Sequence, residues 1–352
     1  MKKKITIVIL MLVFFCFLFS GCGEENRSGS SFSSQETDSP VSESGKISVV
    51  CTIFPQYDFV RQIAGDRVDL KMLIRPGGDV HYYEPSPQDI IDISHCDLFI
   101  YVGGESDVWA DSILESADQG QMEILSLMEC TETLRQEEMS EGMWDPSQHN
   151  VFRGGADVSD AADSGSGEEK AENGAETEYD EHVWTSVSNS IQIVSEICGR
   201  LCGLDPENET YYRERTADYI AELKSLKQDF EDVVQNAQRN TIIFGDRFPL
   251  LYFAEEFGLD YRAAFKGCSS NSEAGAKTVA YLIDLVRREE IPVVFKLELS
   301  SGNIASAISE ATGAKVLTFY SCHNLSKEDF ESGETYLSMM KKNVLSLKEA
   351  LG

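Results

Sequence analysis

The chain has 352 residues, 60 Asp and Glu against 30 Lys and Arg, and a net charge of −30 at neutral pH. That balance excludes a phosphate-backbone reader, whose affinity rests on Lys and Arg, and favours a solvated surface that attracts cations. Only five histidines are present, while 42% of residues are hydrophobic, enough for a sizeable core.

Lys2, Lys3 and Lys4 precede an apolar run from Ile5 to Phe19 and then Ser20-Gly21-Cys22. A basic start, a short apolar stretch and small residues before a cut describe a secretory signal over residues 1–21. The run is too short to span a bilayer comfortably. Cys22 after Ser-Gly resembles the lipobox of bacterial lipoproteins, in which the cysteine is acylated, although Phe19 stands where such boxes usually carry Leu. Loss of residues 1–21 removes three lysines and no acids, so the mature chain is three charges more negative. Residues 22–46 are rich in Ser, Glu, Gly and Asp, and read as a flexible tether.

From residue 47 the chain alternates between strand-like and helical patterns. Ile47–Phe54 is an apolar run of strand length, followed by a helix over Gln56–Ala64, a strand over Val68–Ile74, a helix over Ser86–Ser94 and a strand over Leu98–Val102. Gly154–Glu181 then holds ten acids against one lysine and reads as part of a solvated, disordered insertion spanning about 135–181. Two readings stand for it: an idle surface insertion, or a weak collector of cations beside His182. Pro206 suits a helix start, and apolar positions from Tyr212 to Val233 recur at helical spacing, predicting a helix to about Ala237. A second alternating set follows: strands over Thr241–Phe244, Tyr261–Phe265, Val293–Leu297 and Val316–Tyr320, and helices over Tyr252–Phe257, Ser272–Glu289, Ile304–Thr312 and from about Gly333. Short strands separated by helices predict an α/β fold with two parallel-sheet lobes, over 47–205 and 239–352, joined by the helix at 206–238.

His81, His182 and His323 stand at the ends of probable elements, and imidazole is the commonest protein ligand for zinc and its neighbours. His95, between a helix and a strand, reads as a packing or capping residue. Of the cysteines left after Cys16 and Cys22, Cys51 and Cys96 sit in apolar runs. Cys198 and Cys202 lie four apart on a probable helix face, where packing fits better than a bridge. Cys268 and Cys322 both follow strand-like segments and are the disulfide candidates.

Together these segments resemble the metal-binding lipoprotein of bacterial zinc and manganese ABC importers. The resemblance runs from about Ile47 to the end. It rests on Thr52-Ile-Phe-Pro55-Gln-Tyr57-Asp58, His81-Tyr-Tyr-Glu84-Pro85-Ser-Pro87, Asp97–Gly103, His182-Val-Trp184, Phe257-Gly258-Leu259, and Tyr336-Leu with Asn343. It implies two lobes on a rigid helix with one metal in the cleft between them. It also implies a membrane-anchored, monomeric, non-enzymatic protein serving an ABC permease and its ATPase subunit. Carried over, it makes His81 and His182 the first two ligands. Gly245 stands where the family supplies a third, and His323 where it supplies an acid. Asp246 or Glu84 is then the candidate fourth donor, Glu298 a further one more suited to an outer hydrogen-bonding role, and Trp184 a wall of the cleft. Three histidines favour Zn²⁺ over Mn²⁺ as cargo. A zinc hydrolase using Glu84 or Glu298 as base, and a surface adhesin on the same fold, are the rival readings.

Overall fold

The computed structural model describes residues 45–80, 83–116, 122–136, 140–143, 179–267 and 274–352, all within one compact unit, Ser42–Gly352. The signal, Cys22, the tether, His81, Cys268 and most of the acidic insertion lie outside the described residues.

The first sheet consists of β1 (Ser48–Cys51), β2 (Asp69–Met72), β3 (Leu98–Tyr101) and β4 (Glu123–Ser126), all parallel, in the order β2-β1-β3-β4. Helices α1 (Phe54–Ala64), α2 (Pro87–Ser94), α3 (Val108–Ser116) and α4 (Val187–Leu204) belong to this half. Ser86 caps α2 by accepting the Asp89 N–H, and Pro87 fills a first-turn position that needs no donor. The second sheet, also parallel, repeats the arrangement. Its strands are β5 (Thr241–Phe248), β6 (Asp260–Lys266), β7 (Val293–Lys296) and β8 (Lys315–Thr318), in the order β6-β5-β7-β8. Its helices are α6 (Leu251–Phe257), α7 (Ala276–Arg288), α8 (Asn303–Thr312), α9 (Lys327–Glu331) and α10 (Tyr336–Leu351). Each sheet reverses strand order between its first and third strands, which opens a crevice at their carboxyl ends.

The long helix is α5, Glu209–Gln235, 27 residues and about 40 Å at the usual rise. Tyr212, Thr216, Tyr219, Leu223, Leu226 and Phe230 form its buried stripe at spacings of three and four. It packs on α1 and α4 of the first half and on α6 and α10 of the second.

The two sheets share their largest core, while each keeps a smaller cluster of its own, around Ile93 and Phe99 in the first and Leu282 and Val294 in the second. One apolar cluster runs from Val49 and Phe59 through Trp184 and Tyr219 to Phe244, Phe319 and Tyr336. Buried polar ties cross the same boundary. Asp58 on α1 accepts the Tyr336 N–H at 2.8 Å and the Arg61 guanidinium, while Arg61 also donates to the Glu334 carbonyl at 2.9 Å. Asn324 donates to the carbonyls of Arg75 and Gly78 at 3.0 and 2.9 Å. A shared core and buried polar ties leave little room for hinge motion, because packed interiors resist continuous deformation.

Gly245 has a packing role. A Cβ there would lie 2.5 Å from the Ala305 backbone, so β5 approaches α8 more closely than any side chain permits. Gly245→Ala is expected to destabilise by about 1–3 kcal/mol, read as a lower midpoint in urea unfolding with an unchanged slope. An unshifted midpoint would mean that α8 can move away freely.

Candidate metal centre

A cleft of about 370 Å³ opens at the carboxyl ends of the strands. Its walls come from Gly77–Val80 after β2, His182, Asp246 on β5, Leu297–Ser301 after β7 and Ser321–Asn324 after β8. A register shift between Phe244 and Arg247 sets two β5 residues, Gly245 and Asp246, against one of β6, Ala264, a bulge that re-aims the strand end where Asp246 enters the cleft.

His182 is fully buried and held by its own turn. Its backbone N–H and its Nδ1 both reach Asp180 Oδ1, at 2.8 and 3.1 Å. A carboxylate only accepts, so Nδ1 carries the proton and the lone pair sits on Nε2, the tautomer of a metal-ligating imidazole. Asp180 is itself fixed: its carbonyl accepts the Tyr252 hydroxyl at 2.7 Å, and its N–H donates to the Arg135 carbonyl at 2.8 Å. Neighbouring Glu181 accepts from the backbone N–H and the hydroxyl of Ser106. Asp180 and Glu181 are each only 1% exposed. The end of the acidic stretch is therefore buried structure, a correction to its reading as solvated charge.

His323 follows Cys322, whose φ of 59° turns the chain sharply after β8. Its ring centroid lies 5.1 Å from that of His182 with the planes nearly perpendicular. Trp184 backs both, at 5.3 and 4.9 Å, and its Nε1 donates to the Ser321 carbonyl at 2.9 Å. One fully buried indole thus ties the His182 turn to the His323 loop.

The acids divide. Asp246 lines the cleft, accepting backbone N–H groups of Arg247 at 2.9 Å and Leu297 at 3.1 Å on separate oxygens. A carboxylate has about four lone-pair sites, so it keeps acceptor capacity. Its bond to Arg247 is to the backbone N–H, not to the guanidinium. Glu298 accepts the N–H and hydroxyl of Ser321, both at 2.9 Å, and burial pushes its pKa up to about 7. Glu84 is exposed and is not brought to the cleft. Among the described residues no group of three or more His, Cys, Asp or Glu converges closely enough to hold a metal, so the described cleft supplies a histidine pair. His95 ends α2, with Nδ1 at 2.7 Å from the Ile91 carbonyl.

The expected Cys268–Cys322 bridge is not formed at Cys322, which is a free thiol. Cys322 is fully buried in the shared core beside Tyr219, Tyr336 and Asp58, and burial raises its pKa well above the ordinary thiol value. A side chain in that position faces the core, not a surface partner.

A model of the family described as zinc-uptake complex component A, periplasmic, matches residues 49–350. The chain belongs to that family. The high-affinity zinc uptake system protein ZnuA of Bacillus subtilis is 27% identical over 348 residues, covering 97% of each chain. The zinc-binding lipoprotein AdcA of Streptococcus pneumoniae is 28% identical over 305 residues, covering 87% of this chain but 56% of that protein. The chain thus spans little more than half the length of several curated relatives. The crystal structure of the metal-dependent lipoprotein YcdH from Bacillus subtilis superposes with a TM-score of 0.68 at 26% identity, covering 87% of this chain and all of that one. The two-lobe α/β fold expected from the sequence is the fold of these relatives.

Asp180 and Tyr252, which hold the His182 turn, were passed over by sequence reasoning. The local signal for Asp180, an acid two residues before His182, was hidden inside the charge block. Behind Glu181, Asp107 is also buried and accepts the Val102 N–H at 2.6 Å; burial, with Glu181 nearby, pushes its pKa up to about 7. A carboxyl raised above its unfolded value of 3.8 binds more protons in the folded state between those two pH values. Stability from this group is therefore greatest at low pH and is lost as pH rises through about 7. Metal-free protein should show a falling melting temperature from pH 5 to 8, and Asp107→Asn should flatten part of that slope. Equal slopes for the two proteins would remove Asp107 as a source.

Proposed function

We propose that this protein captures a divalent transition metal, zinc, in the cleft on the extracytoplasmic face of the membrane. It then delivers the metal to an ABC permease driven by a separate ATPase subunit. The observation that carries the proposal is the His182–His323 pair, with His182 Nδ1 taken by buried Asp180 so that Nε2 bears the lone pair. Family membership and the zinc-uptake names of the relatives support the same reading.

In this reading His81 is the third histidine, since the cleft-lining segment Gly77–Val80 runs directly into it. Asp246 lines the same cleft and is the candidate fourth donor, although among the described residues it does not converge on His182 and His323. Glu298 acts through Ser321 by holding the loop that carries His323. Nitrogen-rich coordination favours zinc over manganese, which prefers more oxygen ligands. The work is binding and release with no bond chemistry, so the protein is not an enzyme. Residues 1–21 are the secretory signal, Cys22 the lipid site and 22–46 the tether, a reading that the lipoprotein names of relatives support. The body, 47–205, 206–238 and 239–352, works as a monomer.

The test is the zinc content and affinity of residues 47–352, alongside His323→Ala. One tightly held zinc per chain, weakened at least tenfold by that change, is expected. Absence of stoichiometric metal, or indifference to His323, would overturn the proposed site.

A further inference from the structure

Away from the cleft, α4 carries two thiols one turn apart. Cys198 and Cys202 are both buried and free, with their sulfurs 3.8 Å apart. Residues four apart on a helix keep their Cβ atoms about 5–6 Å apart, whereas a disulfide wants about 3.5–4.5 Å. The helix therefore keeps the pair from closing into a bridge unless its last turns open. Burial, with Cys198 beside it, pushes the Cys202 thiol up to about 11, so Cys202 is protonated at neutral pH and slow towards oxidants that need a thiolate.

Two sulfurs bonded to one atom at about 2.3 Å, the length of a zinc–thiolate bond, stand about 3.5–3.8 Å apart for angles of about 100–110°. The observed spacing already matches a chelate. Zinc itself would need two more donors, and among the described residues no group of three or more His, Cys, Asp or Glu is in place to supply them. A bis-thiolate metal complex would also bury net charge, which is costly. A trivalent arsenical avoids both difficulties: it brings its third substituent with it, and its product is neutral.

We propose that Cys198 and Cys202 form a dithiol site for a trivalent arsenical, separate from the cleft. In the reaction R–As=O takes up both thiols. Two As–S bonds form, the As–O bond breaks, and the two thiol protons leave with the oxygen as water, with no change in oxidation state. Access comes through the end of α4. Gly199 and Gly203, each following one of the cysteines, are exposed; a Cβ at Gly199 would meet nothing within 4 Å, and one at Gly203 only the Glu123 carboxylate at 4.0 Å. Two helix-interior glycines weaken these last turns relative to alanine, which lowers the cost of the local opening that exposes the pair.

The experiment treats the native, zinc-loaded chain with phenylarsine oxide and reads intact mass. One phenylarsenic group per chain is expected, stable to excess glutathione and removed by a small dithiol. It should be absent from both Cys198→Ser and Cys202→Ser, while zinc content stays unchanged in all three proteins. The unchanged zinc also reports that the variants are folded. Should either fail to load zinc, Cys198→Ala and Cys202→Ala replace them. No adduct on the native chain, or an adduct that survives either substitution, overturns the proposal.

Discussion

His182→Ala is expected to lower zinc affinity by more than 100-fold, and Asp180→Asn by about 10–100-fold, the usual cost of losing an outer hydrogen-bond partner of a metal-bound histidine. The order follows from the geometry. His182 presents Nε2 only because Asp180 Oδ1 holds Nδ1 at 3.1 Å and the backbone N–H at 2.8 Å. Removing the ring deletes a donor, whereas removing the carboxylate charge leaves the donor but weakens its tautomer and orientation. Competition against a chelator of known zinc affinity measures both. Histidines bind metal in the neutral form, so affinity should fall as the solution is acidified. His182→Ala should show a shallower pH dependence, by one competing proton. If Asp180→Asn matched His182→Ala, the carboxylate would itself be a ligand. If neither changed the affinity, the metal would bind elsewhere.

Much of the fold was legible because parallel α/β structure writes itself locally. Runs such as Leu98–Tyr101 and Val293–Lys296 are continuous apolar stretches of strand length, since both faces of their sheets are covered. The stripe of α5 repeats at helical spacing for about five turns, from Tyr212 to Phe230, and the helix's observed span, Glu209–Gln235, falls inside the expected one. Short elements were lost: α3 and β4 follow one another within twenty residues, and β4 has only four residues with no clear alternation. The site was half legible. Single histidines at element ends singled out His182 and His323 as candidates, and their closeness depends on Trp184 joining segments 137 residues apart. No local pattern reports that contact. Gly245 reads in the sequence as a missing ligand, and the structure shows why no ligand fits: its neighbour Ala305 is sixty positions away. The same long-range logic buries Asp180 and Glu181 at the end of a segment whose composition suggests only solvated charge.

Trp184→Ala is expected to cost about 3–5 kcal/mol of folding stability, the range for deleting a buried large aromatic. That is a large share of the 5–15 kcal/mol that holds a typical domain folded. The indole is fully buried within the cluster shared by both sheets, so the cavity would open at their junction. Trp184→Phe separates the contributions: it keeps an aromatic surface but strands the buried Ser321 carbonyl, now bonded at 2.9 Å, for about 1–3 kcal/mol. Urea unfolding of metal-free protein measures both. Because one core spans the two sheets, wild-type unfolding should be a single transition by fluorescence and circular dichroism. Both variants should also bind zinc more weakly, since the ring that packs 4.9 Å from His323 and 5.3 Å from His182 sets the pair's spacing. A Trp184→Ala loss under about 1 kcal/mol would mean that the junction collapses around the gap. Full stability combined with lost zinc binding would make the indole a wall of the site alone, with no part in joining the lobes.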